Sequence, residues 1–281
     1  MTLPRRVLIP LVFVVWVACC GHAVACDLMG ISFDREVRAE PLFERFRRIS
    51  EKRDLDGWGV AFYTDDSATV FKQPIPAAKS KLAQCLIDRR LLKSKILIAH
   101  LRAASVGKPS HRNTHPWTRE LGGVEYAMAH VGGADKRVWS YVKLDRFKPS
   151  GENCAEHMFC HILGEIDRRG VESWDAEAFA WLHQMIAKLN EVQTTSLLLS
   201  DGTHLFAYSS TRTSWLSYVR REMPAAGRDG DGDGPHTATG VIVARETHNL
   251  ARPGEQWTKI PRGHLAVFKD GRQIYRSKPA E

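Results

Sequence analysis

Cys26 is the residue that the rest of the sequence is best arranged to serve. It follows Ala23-Val24-Ala25, a small-residue pattern of the kind cut at the end of a secretory signal. A cut after Ala25 would leave one residue carrying both a thiol and a free α-amine. An α-amine titrates near pKa ~8, so close to neutrality part of it is unprotonated. It can then take the thiol proton, directly or through a water, and generate a nucleophile that brings its own base. Two other uses of this cysteine stay open. It could be structural, in a disulfide, or it could carry a lipid, although Ala23 is a poor residue three positions before a lipid-bearing Cys.

Other candidates lie further along. Arg102 closes an apolar run at 96–100 and offers a planar, bidentate grip on a carboxylate, with a surface ion pair as the competing reading. His115 sits in the loop-like Asn113-Thr114-His115-Pro116-Trp117, where a structural, a ligating and a catalytic imidazole all fit. Residues 126–130 read as a strand entering Val131-Gly132-Gly133, where free backbone N–H groups could bind an anion; a hairpin turn is the alternative. Asp56-Gly57-Trp58-Gly59 suggests close backbone approach beside a large side chain, or an ordinary turn with a core Trp.

Residues 1–25 read as the signal itself. Arg5 and Arg6 form the positive region, 8–20 is an apolar run broken only by Pro10, and the Arg pair leaves twin-arginine export open. The expected location is secreted or periplasmic, with a membrane anchor only if Cys26 is lipidated. The remaining 26–281 suits one domain. The chain has 281 residues and a formal charge of +8, spread without a long Lys/Arg block or interleaved aromatics. That pattern is a soluble basic surface and argues against nucleic acid as a partner. Cys19 and Cys20 would leave with the signal, so Cys26, Cys85, Cys154 and Cys160 remain, too few for a disulfide scaffold. There is no CxxC pair to suggest a zinc ribbon. Asp229, Asp231 and Asp233 imitate the start of a calcium loop, but the closing acid is Gly240, so 228–235 reads as a solvated loop with no metal.

The positioning elements follow from periodicity. Strands are expected at 27–33, 60–63, 69–72, 96–100, 126–130, 196–199, 204–208, 240–243, 264–268 and 273–275. Helices are expected at 41–52, 77–92, 154–165 and 175–189. Strands early, helices in the middle and hairpins at the end fit two strand layers between helices better than strict βαβ alternation.

Several short motifs stand in one order: Cys26, DGWG at 56–59, AHLRAAS at 99–105, NTHPW at 113–117, AHVGG at 129–133, GENCAEHMF at 151–159, LLLSDG at 197–202 and VIVARE at 241–246. Together they resemble the class II glutamine amidotransferase domain of the N-terminal-nucleophile hydrolases, in its stand-alone YafJ-like group. The resemblance spans nearly all of 26–270. It implies an α+β fold, a four-layer αββα sandwich of two antiparallel sheets between helices, with no cofactor. It implies Cys26 as nucleophile on a glutamine-like or γ-glutamyl amide and Gly132 as an oxyanion N–H. Arg102 would bind the substrate carboxylate, with Trp58, Gly59 and Cys154 beside it. An ammonia-accepting partner would have to be a separate chain. Two departures stand out. Val131 replaces the Asn that supplies a second oxyanion donor, a loss typically costing on the order of 10²–10³ in rate. Cys154 replaces the Asp that binds the substrate ammonium; Glu152 and Glu156 are the nearby carboxylates. A degenerate, non-catalytic binding protein of the same fold is the alternative these departures support.

Overall fold

A computed structural model describes residues 26–103, 107–133, 137–210, 212, 215–227, 237–245 and 247–278. The expected signal at 1–25 and the loop at 228–235 lie outside the described residues. Within them no helix is long and apolar enough to cross a membrane.

In chain order the strands are β1 (Asp27–Arg38), β2 (Gly57–Thr64), β3 (Ser67–Gln73), β4 (Lys93–Arg102), β5 (Trp117–Leu121), β6 (Val124–Val131), β7 (Ser196–Ser200), β8 (Leu205–Tyr208), β9 (Ser217–Pro224), β10 (Thr237–Ala244), β11 (Thr258–Lys259), β12 (Leu265–Lys269) and β13 (Arg272–Arg276). The helices are α1 (Glu40–Arg47), α2 (Lys81–Asp88), α3 (Arg137–Tyr141), α4 (Cys154–Arg169) and α5 (Ala176–Val192). One sheet runs β11-β9-β10-β1-β4-β2-β3 and the other β13-β12-β8-β7-β6-β5. Every ladder is antiparallel.

Strand alternation sorts the side chains into three cores. Along β1, Met29, Ile31 and Phe33 face outward, onto Leu42, Phe43 and Phe46 of α1 and Leu86 of α2. Leu28 faces inward, into a layer shared with Ala127 and Ala129 of β6, Leu198 of β7 and Leu205 and Ala207 of β8. The outer face of the second sheet packs Met128, Leu197, Leu199 and Phe206 against Met158, Phe159 and Ile162 of α4 and Leu182 and Ile186 of α5. The result is the αββα order expected, with β1 in the middle of its sheet between β10 and β4. The chain entering β1 is therefore delivered between the two sheets.

Some elements differ from the periodicity reading. The helix expected at 77–92 is a 3-10 turn (Ala77–Lys79) followed by α2, because Ser80 caps the new helix by accepting from the Ala83 N–H. The helix expected at 41–52 tightens into a 3-10 turn after Arg47. Strands β5, β9 and β11 and helix α3 were not expected.

Candidate active site

Register brings the candidate residues to one end of the sandwich. β4 runs antiparallel to β1, pairing Leu101 with Asp27 and His100 with Leu28. The C-terminal end of β4, Arg102, thus lies beside Cys26. β2 flanks β4 on its other side, pairing Gly57 with Arg102. The second sheet is tied in by His100 Nε2, 3.1 Å from the His130 carbonyl oxygen, two residues before Gly132.

Cys26 packs on the inter-sheet layer. The Ala103 N–H donates to its Sγ at 3.2 Å, and the thiol lies 3.4 Å from the Ala103 carbonyl oxygen. Burial pushes the thiol up from its ordinary range. The Ala103 N–H and Arg102 oppose that shift, while Asp27 and Asp56 add to it. A half-buried thiol whose titration is shifted upward in this way stays protonated near neutrality, so it needs a base before it can attack.

Arg102 is 2% exposed, and so is not a surface ion-pair residue. It donates to Asp56 Oδ2 at 2.5 Å and to the Gly107 carbonyl at 2.9 Å. Asp56 Oδ1 is buried without a hydrogen-bond partner among the described residues. In sequence Asp56 is the first letter of DGWG, and nothing local marks it as the partner of a guanidinium 46 residues away. Next to a buried guanidinium, a half-used carboxylate is the more informative group.

Trp58 does not reach the candidate site. Its side chain is fully buried in the outer core and tilts on Phe43 at 5.7 Å between ring centres, because its strand position points toward α1. Gly59 has a different role: a Cβ there would overlap the His115 carbonyl oxygen and crowd Pro116 Cδ at 2.9 Å. Its bare backbone lets the NTHPW loop lie across β2. Lys72 Nζ holds that loop by donating to the Thr114 and Pro116 carbonyls at 2.9 and 3.1 Å. Burial lowers that lysine to about 8.

His115 is 3% exposed, its ring centre 4.0 Å from both His100 and Trp117. Neither of its nitrogens has a hydrogen-bond partner among the described residues. His100, His115 and His130 thus form a buried imidazole cluster beneath Gly132. No group of three or more His, Cys, Asp or Glu among the described residues has metal-binding geometry. Gly132 ends the turn out of β6, and a Cβ there would collide with the Thr194 carbonyl, so only glycine fits. Val131 is buried in the inter-sheet layer.

Cys154 opens α4, 2% exposed, and its Sγ accepts the Trp139 indole N–H at 3.3 Å. Trp139 stacks on His157 at 5.3 Å. Glu156 does not stand free as a substitute anion. Its buried carboxylate accepts from Arg119, the Ser150 N–H and hydroxyl, and the Gly151 N–H at 2.6–2.9 Å, and so pins the loop before α4. Glu152 is exposed. All four described cysteines are free thiols.

A nucleophile candidate between two antiparallel sheets, with a buried Arg at its side and a Gly-bounded strand end opposite, defines a class. The chain belongs to the family of class II glutamine amidotransferases, whose pattern matches residues 25–280. It is 36% identical over 263 residues to an uncharacterised protein of Methanocaldococcus jannaschii, covering 90% of this chain and 72% of that one. It is 31% identical to YafJ of Escherichia coli over 227 residues, 78% of this chain and 87% of the relative. Among solved structures it resembles a predicted glutamine amidotransferase from Pseudomonas aeruginosa, with a TM-score of 0.63 and 25% identity over 89% of this chain and all of that one. The glutamine phosphoribosylpyrophosphate amidotransferase of Bacillus subtilis shares the fold at a TM-score of 0.59 and 17% identity, over 90% of this chain and 49% of that one.

Proposed function

We propose that the chain is an exported amide hydrolase of glutamine amidotransferase type, acting through Cys26 at a processed N-terminus on a glutamine-like or γ-glutamyl amide. The observation that carries this reading is the Cys26 sulfur, held by the Ala103 N–H between the sheets at the point where Arg102 ends β4. After removal of 1–25, the α-amine of Cys26 takes the thiol proton and the sulfur bonds to the amide carbonyl carbon. The Gly132 N–H faces the developing oxyanion. The α-ammonium returns its proton to the leaving nitrogen as the C–N bond breaks, and water then hydrolyses the thioester. Arg102 grips the substrate carboxylate. Cys154 is occupied by the Trp139 N–H and offers no anion to an ammonium, which favours substrates whose α-nitrogen is acylated. Ammonia would leave to solvent or to a separate accepting chain.

The test has two stages. Mass measurement of the exported chain is expected to show an unmodified N-terminus at Cys26. Ammonia release from glutamine and N-acylglutamines, and amine release from γ-glutamyl peptides, are then assayed, with Cys26→Ala expected to abolish both. Wild-type turnover by that variant would reject the mechanism, and an acylated Cys26 would make the chain a membrane-anchored lipoprotein instead. A second reading, a non-catalytic ligand-binding protein, is favoured by Val131, which offers no side-chain donor beside Gly132. It is upheld if these amides bind equally well to wild type and Cys26→Ser with neither ammonia nor amine released.

A further inference from the structure

Directly behind the candidate nucleophile lies a charge cluster that the reaction scheme above does not use. Asp27 is completely buried, yet it carries a carboxylate. Arg53, in the turn before β2, ion-pairs with its Oδ2. Arg245, the first residue after β10, reaches its Oδ1 at 3.2 Å. The same Arg245 nitrogen donates to the Cys26 carbonyl oxygen at 3.1 Å, and the Arg245 backbone N–H is held by the Leu28 carbonyl at 3.2 Å.

We propose that Asp27 and Arg245 are a positioning pair, which locks the backbone of residue 26 so that its α-nitrogen stands in reach of its own sulfur. The proposal rests on the reading of Cys26 as an N-terminal nucleophile. Its logic is tetrahedral. Cα of residue 26 bears three heavy substituents: the nitrogen, the carbonyl carbon and Cβ with its sulfur. The Ala103 N–H fixes the sulfur and Arg245 fixes the carbonyl. With two substituents anchored, the position of the third follows, and the nitrogen-to-sulfur geometry is set before any substrate arrives. Arg245 can hold the carbonyl firmly because Asp27 grips its guanidinium from the other side, and Arg53 balances the buried carboxylate.

The charges facing residue 26 are Asp27 on β1, Arg53 and Asp56 in the turn before β2, Arg102 on β4 and Arg245 after β10. Among the described residues these sum to one net positive charge, which disfavours an ammonium and favours a thiolate at this point. Removing the Arg245 charge and removing the Asp27 charge therefore push the amine–thiol pair in opposite directions. A merely structural role would weaken the fold in both variants without moving the titration in opposite senses.

The probe is iodoacetamide, applied to the processed protein between pH 5 and 10, with alkylation of Cys26 followed peptide by peptide by mass spectrometry. Exposed Cys85 serves as the internal reference thiol. Arg245→Met is expected to slow Cys26 alkylation at pH 7 at least tenfold and to raise its pH midpoint. Arg245→Lys is expected to recover part of the rate, and Asp27→Asn to lower the midpoint. If Arg245→Met does not fold, the other two variants decide. Folded variants that all keep the wild-type profile would overturn the positioning role alone. A mature chain that does not begin at Cys26 would overturn the parent reading and this inference with it.

Discussion

On the outer face of the first sheet, Asp27 meets Arg53 and Arg245 and buries charge against charge. Between the sheets, His100 of β4, His130 of β6 and His115 of the loop before β5 bury three imidazoles with no carboxylate among them. Both clusters sit within a few residues of the end of β4. The first offsets desolvation by pairing, the second by staying neutral. The difference shows in what each tolerates: the ionic cluster is sensitive to losing a member, the imidazole cluster to gaining a proton.

The ionic side is broken most directly by Asp27→Ala. It leaves Arg53 and Arg245 facing a cavity that their carboxylate filled. Removing one partner of a buried charged network typically costs about 3–5 kcal/mol. Urea unfolding at pH 7.5 is expected to show a loss of that order. A loss under about 1 kcal/mol, the range of exposed pairs, would mean that the cluster is solvated in solution and that the contrast with the imidazoles is false.

Acid tests the other side. Burial lowers His100 to about 3 and His130 to about 4. It also takes His115 well below the ordinary 6.5, with His100, His130, Lys72 and Arg102 adding to the shift. The folded pKa values lie below the unfolded one, so the unfolded chain takes up protons first as pH falls. Stability is therefore complete above pH ~6.5 and declines toward pH ~4, by up to about 1.4 kcal/mol per pH unit for each imidazole. Urea midpoints at pH 7.5, 6 and 5 should fall accordingly. A flat profile from 6.5 to 5 would show that the imidazoles reach solvent and protons before the fold opens. Asp27→Asn should leave this slope unchanged, because Asp27 contributes to none of the three shifts.

Much of this architecture was legible in the sequence, and the parts that were not have physical reasons. The alternating and apolar runs at 27–33, 96–100, 126–130, 196–199 and 204–208 fall in strands to within a residue because each has an apolar partner on both faces. β9 is not legible as a strand in the sequence because one of its core-facing positions is an arginine. Arg221 is 4% exposed and is carried by Glu255 and the Leu250 carbonyl, partners nearly thirty or more residues away that no local window includes. Asp27 was hidden the same way: a carboxylate inside an apolar run reads as a strand end until the two distant arginines are seen. Trp58 shows the converse. Its neighbours in sequence suggested a binding site, whereas its side chain obeys strand alternation and packs in the outer core. Cys26, Arg102 and Gly132 could be singled out because each combines a residue type with a position at a strand end. The pairing of Arg102 with Asp56 could not, since it depends on register.

The finest test of the contrast is a substitution expected to do little at neutral pH. His115 lies against His100 and Trp117, and neither of its nitrogens has a hydrogen-bond partner among the described residues. Phe has a similar flat shape and no proton to gain. Replacing a buried polar group that makes no hydrogen bond by an apolar one of like shape is close to neutral or stabilising, within about 1 kcal/mol. His115→Phe should therefore match wild type in urea at pH 7.5 and exceed it at pH 5, with a shallower slope by about one proton. Burial displaces His157, His161 and His183 in the same direction, so this variant, and not the bulk slope, assigns acid sensitivity to the cluster. If His115→Phe is instead destabilised at both pH values with the slope intact, the imidazole makes a polar contact in solution. The cluster would then resemble its ionic neighbour more than the geometry indicates.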